Sequence, residues 1–413
     1  MPTNTSLEIA IGNHRQVPPD WMPASQVRPF IVGDPAVVWL EYHGAEHGFE
    51  PDTSPYAFGD FIAEKGRQFE EKWLQEMAPD AIRVCHSAQD ARSADKVRET
   101  FELMRRGVPA IAQPALWWAP ERVYGVPDLL AHSAWLHERF PGLLSEADST
   151  AAAPYLGEAG PPGHYVVLDV KFTTKLDDSR KGQDLEIYAA QVRIYTYMLG
   201  HLQGLMPQHA FLIARDRVDD PLPVPVASGL DVSLDEDLAA IRDRFVDIKI
   251  NGAQYLPWED AIVASSLGEG DERWAAAKDT IARERTPGRD PGLLYQVGPA
   301  AKGALADLGY PSLDSLLELD PGDVPLEDCK GIGGKRAAQM RAILQANRSG
   351  VPLPPPPDVV PSQRQFEFFV DFEYFTNVNV DFETQWPSLE GKEMIFLIGV
   401  GQAHQGEWRY QAL

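Results

Sequence analysis

A mixed α/β fold is predicted for the first 265 residues, and three observations predict it. A helical apolar period runs through FGDFIAEKGRQFEEKWLQEMA (58–78) and again through QDLEIYAAQVRIYTYMLGHLQGL (183–205). Period-two alternation marks YVVLDVKFTTKL (165–176) as a strand, with Val166, Leu168, Val170 and Phe172 on one face and Asp169, Lys171 and Thr173 on the other. The second helix is followed by the apolar run HAFLIAR (209–215), a further strand.

The remaining elements follow in order. RVCHS (83–87) reads as a short strand, DKVRETFELMRRG (95–107) as a helix, and VPAIAQPALWW (108–118) and ERVYGVPDLLAHS (121–133) as strands. PGLLSEADSTAAAPYLGEAGPPGHY (141–165) is rich in Gly, Pro and small residues and reads as a loop or mobile flap. A break near 264–272 separates this region, 1–265, from a helical one, 266–349, built of two short helix–glycine turn–helix runs that look like diverged copies of one motif. GVPLPPPPDVVPSQ (350–363) favours extended polyproline geometry and is a linker. Beyond it, 364–413 carries two strand patterns, FEFFVDFEYF and EMIFLIGVG.

Composition narrows the class. The 413 residues exceed one ordinary core, and 44% hydrophobic with 10% aromatic residues are those of a folded protein. Cys85 and Cys329 are the only cysteines, so neither a disulfide scaffold nor a four-cysteine zinc or iron–sulfur site can be built from this chain alone. There is no basic start followed by an apolar stretch and no run of about 18 apolar residues, which predicts a soluble cytoplasmic protein without a membrane partner. A net charge of -24 argues against a protein that coats nucleic acid non-specifically, yet it is compatible with an enzyme whose acidic site needs a cation.

The candidate chemistry lies on four elements. Glu70 sits on the first long helix; Asp128 follows Gly125-Val126-Pro127 at a strand end; Asp169 and Lys171 share one strand face; and Gln191 and Tyr195 share one helix face. Singly each has a bland reading: a turn aspartate, a solvated ion pair on an edge strand, an amphipathic surface, one helical glutamate among many. Together, in this order, they resemble the PD-(D/E)xK nuclease superfamily, and specifically its RecB-like branch, through Pro127-Asp128, Asp169-Val170-Lys171 and the Gln191 to Tyr195 spacing.

The resemblance implies a restriction-endonuclease-like αβββαβ core over roughly residues 30–215 and a Mg²⁺- or Mn²⁺-dependent DNA nuclease. It implies that Glu70, Asp128, Asp169 and the Val170 carbonyl hold the metal, that Lys171 orients the attacking water, and that Gln191 and Tyr195 position the nucleic-acid strand or the Lys171 side chain. Lys175 is a candidate phosphate contact or a solvated lysine. Carboxylates about 4 Å apart repel by several kcal/mol per pair at an effective dielectric near 20, so such a site is comfortable only around a cation, and hard oxygens select magnesium or manganese. Many members of this branch carry an iron–sulfur cluster, which the cysteine count predicts to be absent here.

LEDCKGIGGKRAAQMRAIL (326–344) resembles a helix-hairpin-helix element, which implies contact of Gly331 and Gly333 backbone N–H groups, with Lys335 and Arg336, to a nucleic-acid phosphate. A compact packing unit is the competing reading. FEFFVDFEYF resembles the first strand of a ribonuclease H-like 3′–5′ exonuclease fold, which implies a second metal site at Asp371 and Glu373 in an incomplete domain, with Asp381 to Glu383 as a rival pair. The alternative function is a non-catalytic nucleic-acid-binding or assembly subunit; the acidic charge also leaves room for a protein partner that delivers substrate.

Overall fold

The structure is a computed structural model; it describes residues 5–53, 57–157, 162–174, 176, 182–226, 233–254, 256, 258, 272–295, 297–351, 353, 367–375, 394–404 and 407–412. The chain divides into two compact units, Met1–Ser349 and Gly350–Leu413.

The first unit is mixed α/β. It opens with Thr5–Ile11 (α1), Met22–Pro23 (β1), Arg28–Ile31 (α2) and Ala36–His43 (α3). The first amphipathic run forms Ala57–Met77 (α4), followed by Ile82–Arg83 (β2) and Ala94–Arg105 (α5). Four short strands come next: Ala110–Ala112 (β3), Leu116–Trp118 (β4), Val123–Gly125 (β5) and Leu129–His132 (β6). Then follow Ser133–Arg139 (α6), Glu146–Thr150 (α7), Tyr165–Val170 (β7), Gly182–Gln203 (α8), His209–Ile213 (β8), Leu222–Pro225 (β9) and Glu236–Asn251 (α9).

Among the described residues the first unit holds two sheets. One runs β2-β3-β6-β7-β8-β9 and the other β1-β5-β4. In the larger sheet β3, β6 and β7 are successive antiparallel neighbours, and β7 pairs in parallel with β8 after the crossover through α8. The two runs expected as single strands, 108–118 and 121–133, each split between the sheets. The split falls at Pro114 and Pro127, which have no N–H to give a ladder and bend the chain out of one sheet toward the other.

Both faces of the larger sheet are covered. Val166, Leu168 and Val170 pack with Leu129, Phe211, Ile213 and with Trp73, Leu74 and Met77 of α4. Tyr165 and Val167 pack on the other face with Leu130, Leu212 and with Val192, Ile194 and Met198 of α8. β7 is therefore an interior strand, buried along its whole length, and not the solvated edge strand of the bland reading. The stretch 141–165 is not a flap in its described part either. α7 lies within it, Ser149, Ala153, Leu156 and His164 are buried, and Ser133 Oγ donates to the Ser149 carbonyl at 2.7 Å.

Past residue 271, Trp274 and Ala275–Thr280 (α10) rejoin the α8 core through Trp274, Ala277, Ile281 and Ala282, with Lys278 buried against Asp34. Pro299–Asp307 (α11), Leu313–Leu317 (α12) and Gly333–Ser349 (α13) have an apolar cluster of their own, centred on Leu305, Leu316, Leu326, Ile332 and Leu344. In the second unit Glu367–Phe375 (β10), Met394–His404 (β11) and Glu407–Ala412 (β12) form an antiparallel meander in the order β10-β11-β12. No helix among the described residues is long and apolar enough to cross a membrane.

Candidate functional site

Register brings the acids together. Leu129 pairs with Leu168 in the antiparallel β6–β7 ladder, so Asp128 and Asp169 stand one step further along, opposite each other at one end of the sheet. Their side chains project on the α8 side, the face of Val167 and Leu130. Asp169 is 2% exposed. The Asp128 Oδ2 atom accepts from the Val170 backbone N–H at 2.7 Å, which locks the loop before β6 onto the end of β7.

Lys171 follows directly on β7, and its N–H still donates to the Ile213 carbonyl of β8 at 2.8 Å. Its ammonium lies 2.5 Å from Asp169 Oδ2, 3.4 Å from Gln191 Oε1 and 5.3 Å from the centre of the Tyr188 ring. Gln191 in turn donates to the Tyr195 hydroxyl at 2.8 Å. The i, i+4 pair thus faces inward and forms a relay to the lysine, not an amphipathic surface; Tyr195 is 3% exposed and lies against Gly125 of β5, where a β-carbon would collide with the tyrosine ring.

Glu70 arrives from the opposite side. Phe69, Trp73, Leu74 and Met77 pin α4 to the sheet, Phe69 meets Phe172 with ring centres 5.9 Å apart, and Glu70 reaches the same sheet end. Its contact there is Gln113, a residue the sequence reading passed over. The Gln113 Nε2 group donates to Glu70 Oε1 at 2.6 Å and to Asp128 Oδ1 at 3.1 Å. Its backbone N–H donates to the Asp128 carbonyl at 2.9 Å, its carbonyl accepts from Cys85 N–H at 3.0 Å, and its φ is 49°. That is the left-handed region, immediately before Pro114, where an extended backbone is the rule; the conformation costs about 1–3 kcal/mol and persists only because these bonds hold it. A glutamine before a proline at a strand end is the one available sequence signal, and it is weak.

The electrostatics follow from crowding. Burial, and then the charges of Asp169 and Glu70, hold the Asp128 carboxyl well above the usual carboxylate range. Burial likewise raises Glu70, and the Gln113 hydrogen bond offsets only part of that. For Lys171 burial pushes downward, but the facing charges of Asp169 and Asp128 override it and keep the ammonium above its ordinary value. Burial raises the Tyr195 phenol.

The three acids are therefore gathered but individually committed: Glu70 and Asp128 to the Gln113 amide, Asp128 also to Val170 N–H, and Asp169 to Lys171. Among the described residues no three Asp, Glu, His or Cys side chains are arranged to hold a metal ion. Of the expected ligand set Glu70, Asp128 and Asp169, the Gln113 amide stands between the first two. The donor chemistry still suits a hard cation, since two carboxylate oxygens converge on a single partial positive charge at Gln113 Nε2.

The other predicted positions divide. Gly331, with φ 91°, packs against the start of α11, where an added β-carbon would lie 3.0 Å from Ala301 N, so glycine is required there by hairpin-to-hairpin packing. The Gly333 N–H donates to the Cys329 carbonyl at 3.1 Å, and Arg336 is exposed on the first turn of α13. Lys335 lies in that turn, but its side chain falls outside the described residues, as does Lys175. Asp371 and Glu373 stand exposed on β10, opposite Gly399 and Leu397, and no second acidic element joins them among the described residues; 381–383 lie outside these.

No protein-family model matches this chain, and no curated protein matches it either.

Proposed function

We propose that the chain is a divalent-metal-dependent DNA nuclease of the PD-(D/E)xK kind, RecB-like in its motif order, that hydrolyses phosphodiester bonds. The observation that carries this reading is the convergence of the buried Asp169 with the half-buried Asp128 and Lys171 at one sheet end. Holding two mutually repelling carboxylates together and largely out of water is costly, and an apolar pair would avoid that cost, so a structural role is a poor explanation for them. The strand order supports it: with β2, α5, the β4–β5 pair, α6 and α7 as insertions, α4, then β3, β6 and β7 antiparallel, then α8 and β8 parallel to β7, is compatible with an αβββαβ succession.

Asp128, Asp169, Glu70 and the Val170 carbonyl are the groups that would hold Mg²⁺ or Mn²⁺, which supplies Lewis-acid stabilisation of a phosphate oxygen and acidifies bound water. The chain's own part is positional and electrostatic. Lys171, kept protonated by Asp169 and Asp128, presents a fixed positive charge to the pentavalent phosphorus and its attacking water. Gln191 and Tyr195 hold that ammonium in place from α8. The hairpin turn before α13 is proposed as a sequence-independent phosphate contact, and β10 to β12 as the opening strands of a ribonuclease H-like segment with Asp371 and Glu373 as its first acids.

The test is Mg²⁺- or Mn²⁺-dependent cleavage of end-labelled single- and double-stranded DNA by wild type and by Asp169→Ala and Lys171→Ala. Cleavage lost in both variants supports the reading; wild type that never cuts with either ion overturns it. The net charge of -24 favours one second reading, a nucleic-acid-binding or assembly subunit without catalysis. That reading gains if the wild type binds DNA and leaves it intact.

A further inference from the structure

Among the described residues Gln113 is the one side chain that donates hydrogen bonds to two acids of the site at once, and its surroundings show that the contact is built. A residue at φ 49° before a proline is more easily glycine or asparagine, yet a longer amide stands here, tied to Asp128 through both its backbone N–H and its side chain. The carboxamide lies between Glu70 Oε1 and Asp128 Oδ1, the two oxygens that a hard cation would also seek. One oxygen pair cannot serve the amide and an ion lying between them in the same place.

We propose that Gln113 is a positioning residue whose carboxamide bridges Glu70 and Asp128 and must be displaced when a divalent cation binds, so that it sets the cation affinity of the site. This rests on the nuclease reading above. The bridge keeps two half-buried carboxylates paired with a donor, and a cation gains them only by breaking both hydrogen bonds. The displaced amide then regains hydrogen bonds elsewhere, so the exchange lowers affinity without abolishing it.

The experiment is Mn²⁺ binding to the full chain by calorimetry, with melting curves at zero and saturating Mn²⁺, for wild type, Gln113→Ala and Gln113→Asn. Asparagine tolerates the left-handed backbone and keeps an amide too short to span both acids, so it decides the matter if the alanine variant folds poorly. Expected is Mn²⁺ binding about tenfold tighter in both variants, the equivalent of one hydrogen bond to a charged group, together with a larger rise in melting temperature on adding Mn²⁺. If wild type binds Mn²⁺ and cuts DNA while the variants bind it equally or more weakly, the bridge proposal is overturned and the nuclease reading stands. If wild type binds no Mn²⁺ but the variants do, the bridge is upheld and the nuclease reading falls. No binding by any of the three overturns both.

Discussion

β7 and β10 are written in nearly the same alphabet. Each alternates apolar residues with a charged pair two positions apart, Asp169 and Lys171 in one and Asp371 and Glu373 in the other. On β7 the pair is enclosed: α4 covers one face, α8 the other, and Asp169 is 2% exposed. On β10, among the described residues, both faces are open, with Phe368, Phe369 and Phe372 at 64%, 52% and 49% exposure beside the two acids. The difference is one of layers. Helices on both sides shield a charged pair from water and couple it to the charges and amide beside it; without those layers the same residue types are solvated and nearly independent.

That contrast can be broken most sharply by activity. Lys171→Ala and Asp169→Ala are expected to lower Mg²⁺-dependent cleavage by about 10²–10³-fold or more, the scale for losing a transition-state stabiliser, whereas Asp371→Ala and Glu373→Ala leave it within a factor of about two. Equal losses from both strands would erase the distinction. Stability comes next. Lys171→Met leaves the buried Asp169 without its cation and should cost about 3–5 kcal/mol in urea unfolding without metal, against about 0.5 kcal/mol or less for Asp371→Ala.

Glycine substitutions sharpen the same comparison. Gly125→Ala drives a methyl into the buried Tyr195 ring, which has nowhere to go, and should cost about 1–3 kcal/mol and disturb the Gln191–Lys171 relay. Gly401→Ala meets Trp408, but that ring is 58% exposed and can swing away, so its thermal melt should change by less than half as much. Smallest is the effect at Glu327, exposed like the acids of β10 but bridged to Arg341 by two 2.6 Å bonds. Those bonds hold its carboxyl down to about 2 from the ordinary 4.5. A depressed folded value means stability that is present above pH 4.5 and lost as pH falls toward 2, so Glu327→Gln should flatten a shallow decline of melting temperature over that window.

Much of the candidate site is legible in the sequence. The order of Glu70, Asp128, the Asp169–Lys171 strand and the Gln191–Tyr195 helix face could be read because each depends on local periodicity and spacing. Gln113 could not: its importance comes from a left-handed backbone torsion and from contacts 43 and 15 positions away in the chain, neither of which has a local signature. The single strands expected over 108–118 and 121–133 failed for a related reason. Their prolines were visible, but which sheet each half would join depends on partners elsewhere. Gly331 was legible as a turn glycine, whereas the close approach of Ala301 that makes it indispensable was not.

Helix and strand periods, the turn residues and the placing of Asp169 and Lys171 on one strand face are properties of neighbours along the chain, so the linear order of residues was enough to set them. Burial, register and the donors that each carboxylate finally meets depend on which distant elements pack together. Those are set by long-range apolar contacts and sheet pairing, and so the identity of Asp169 as a buried acid, of Asp371 as an exposed one, and of Gln113 as the link between Glu70 and Asp128 emerged only when the chain was folded.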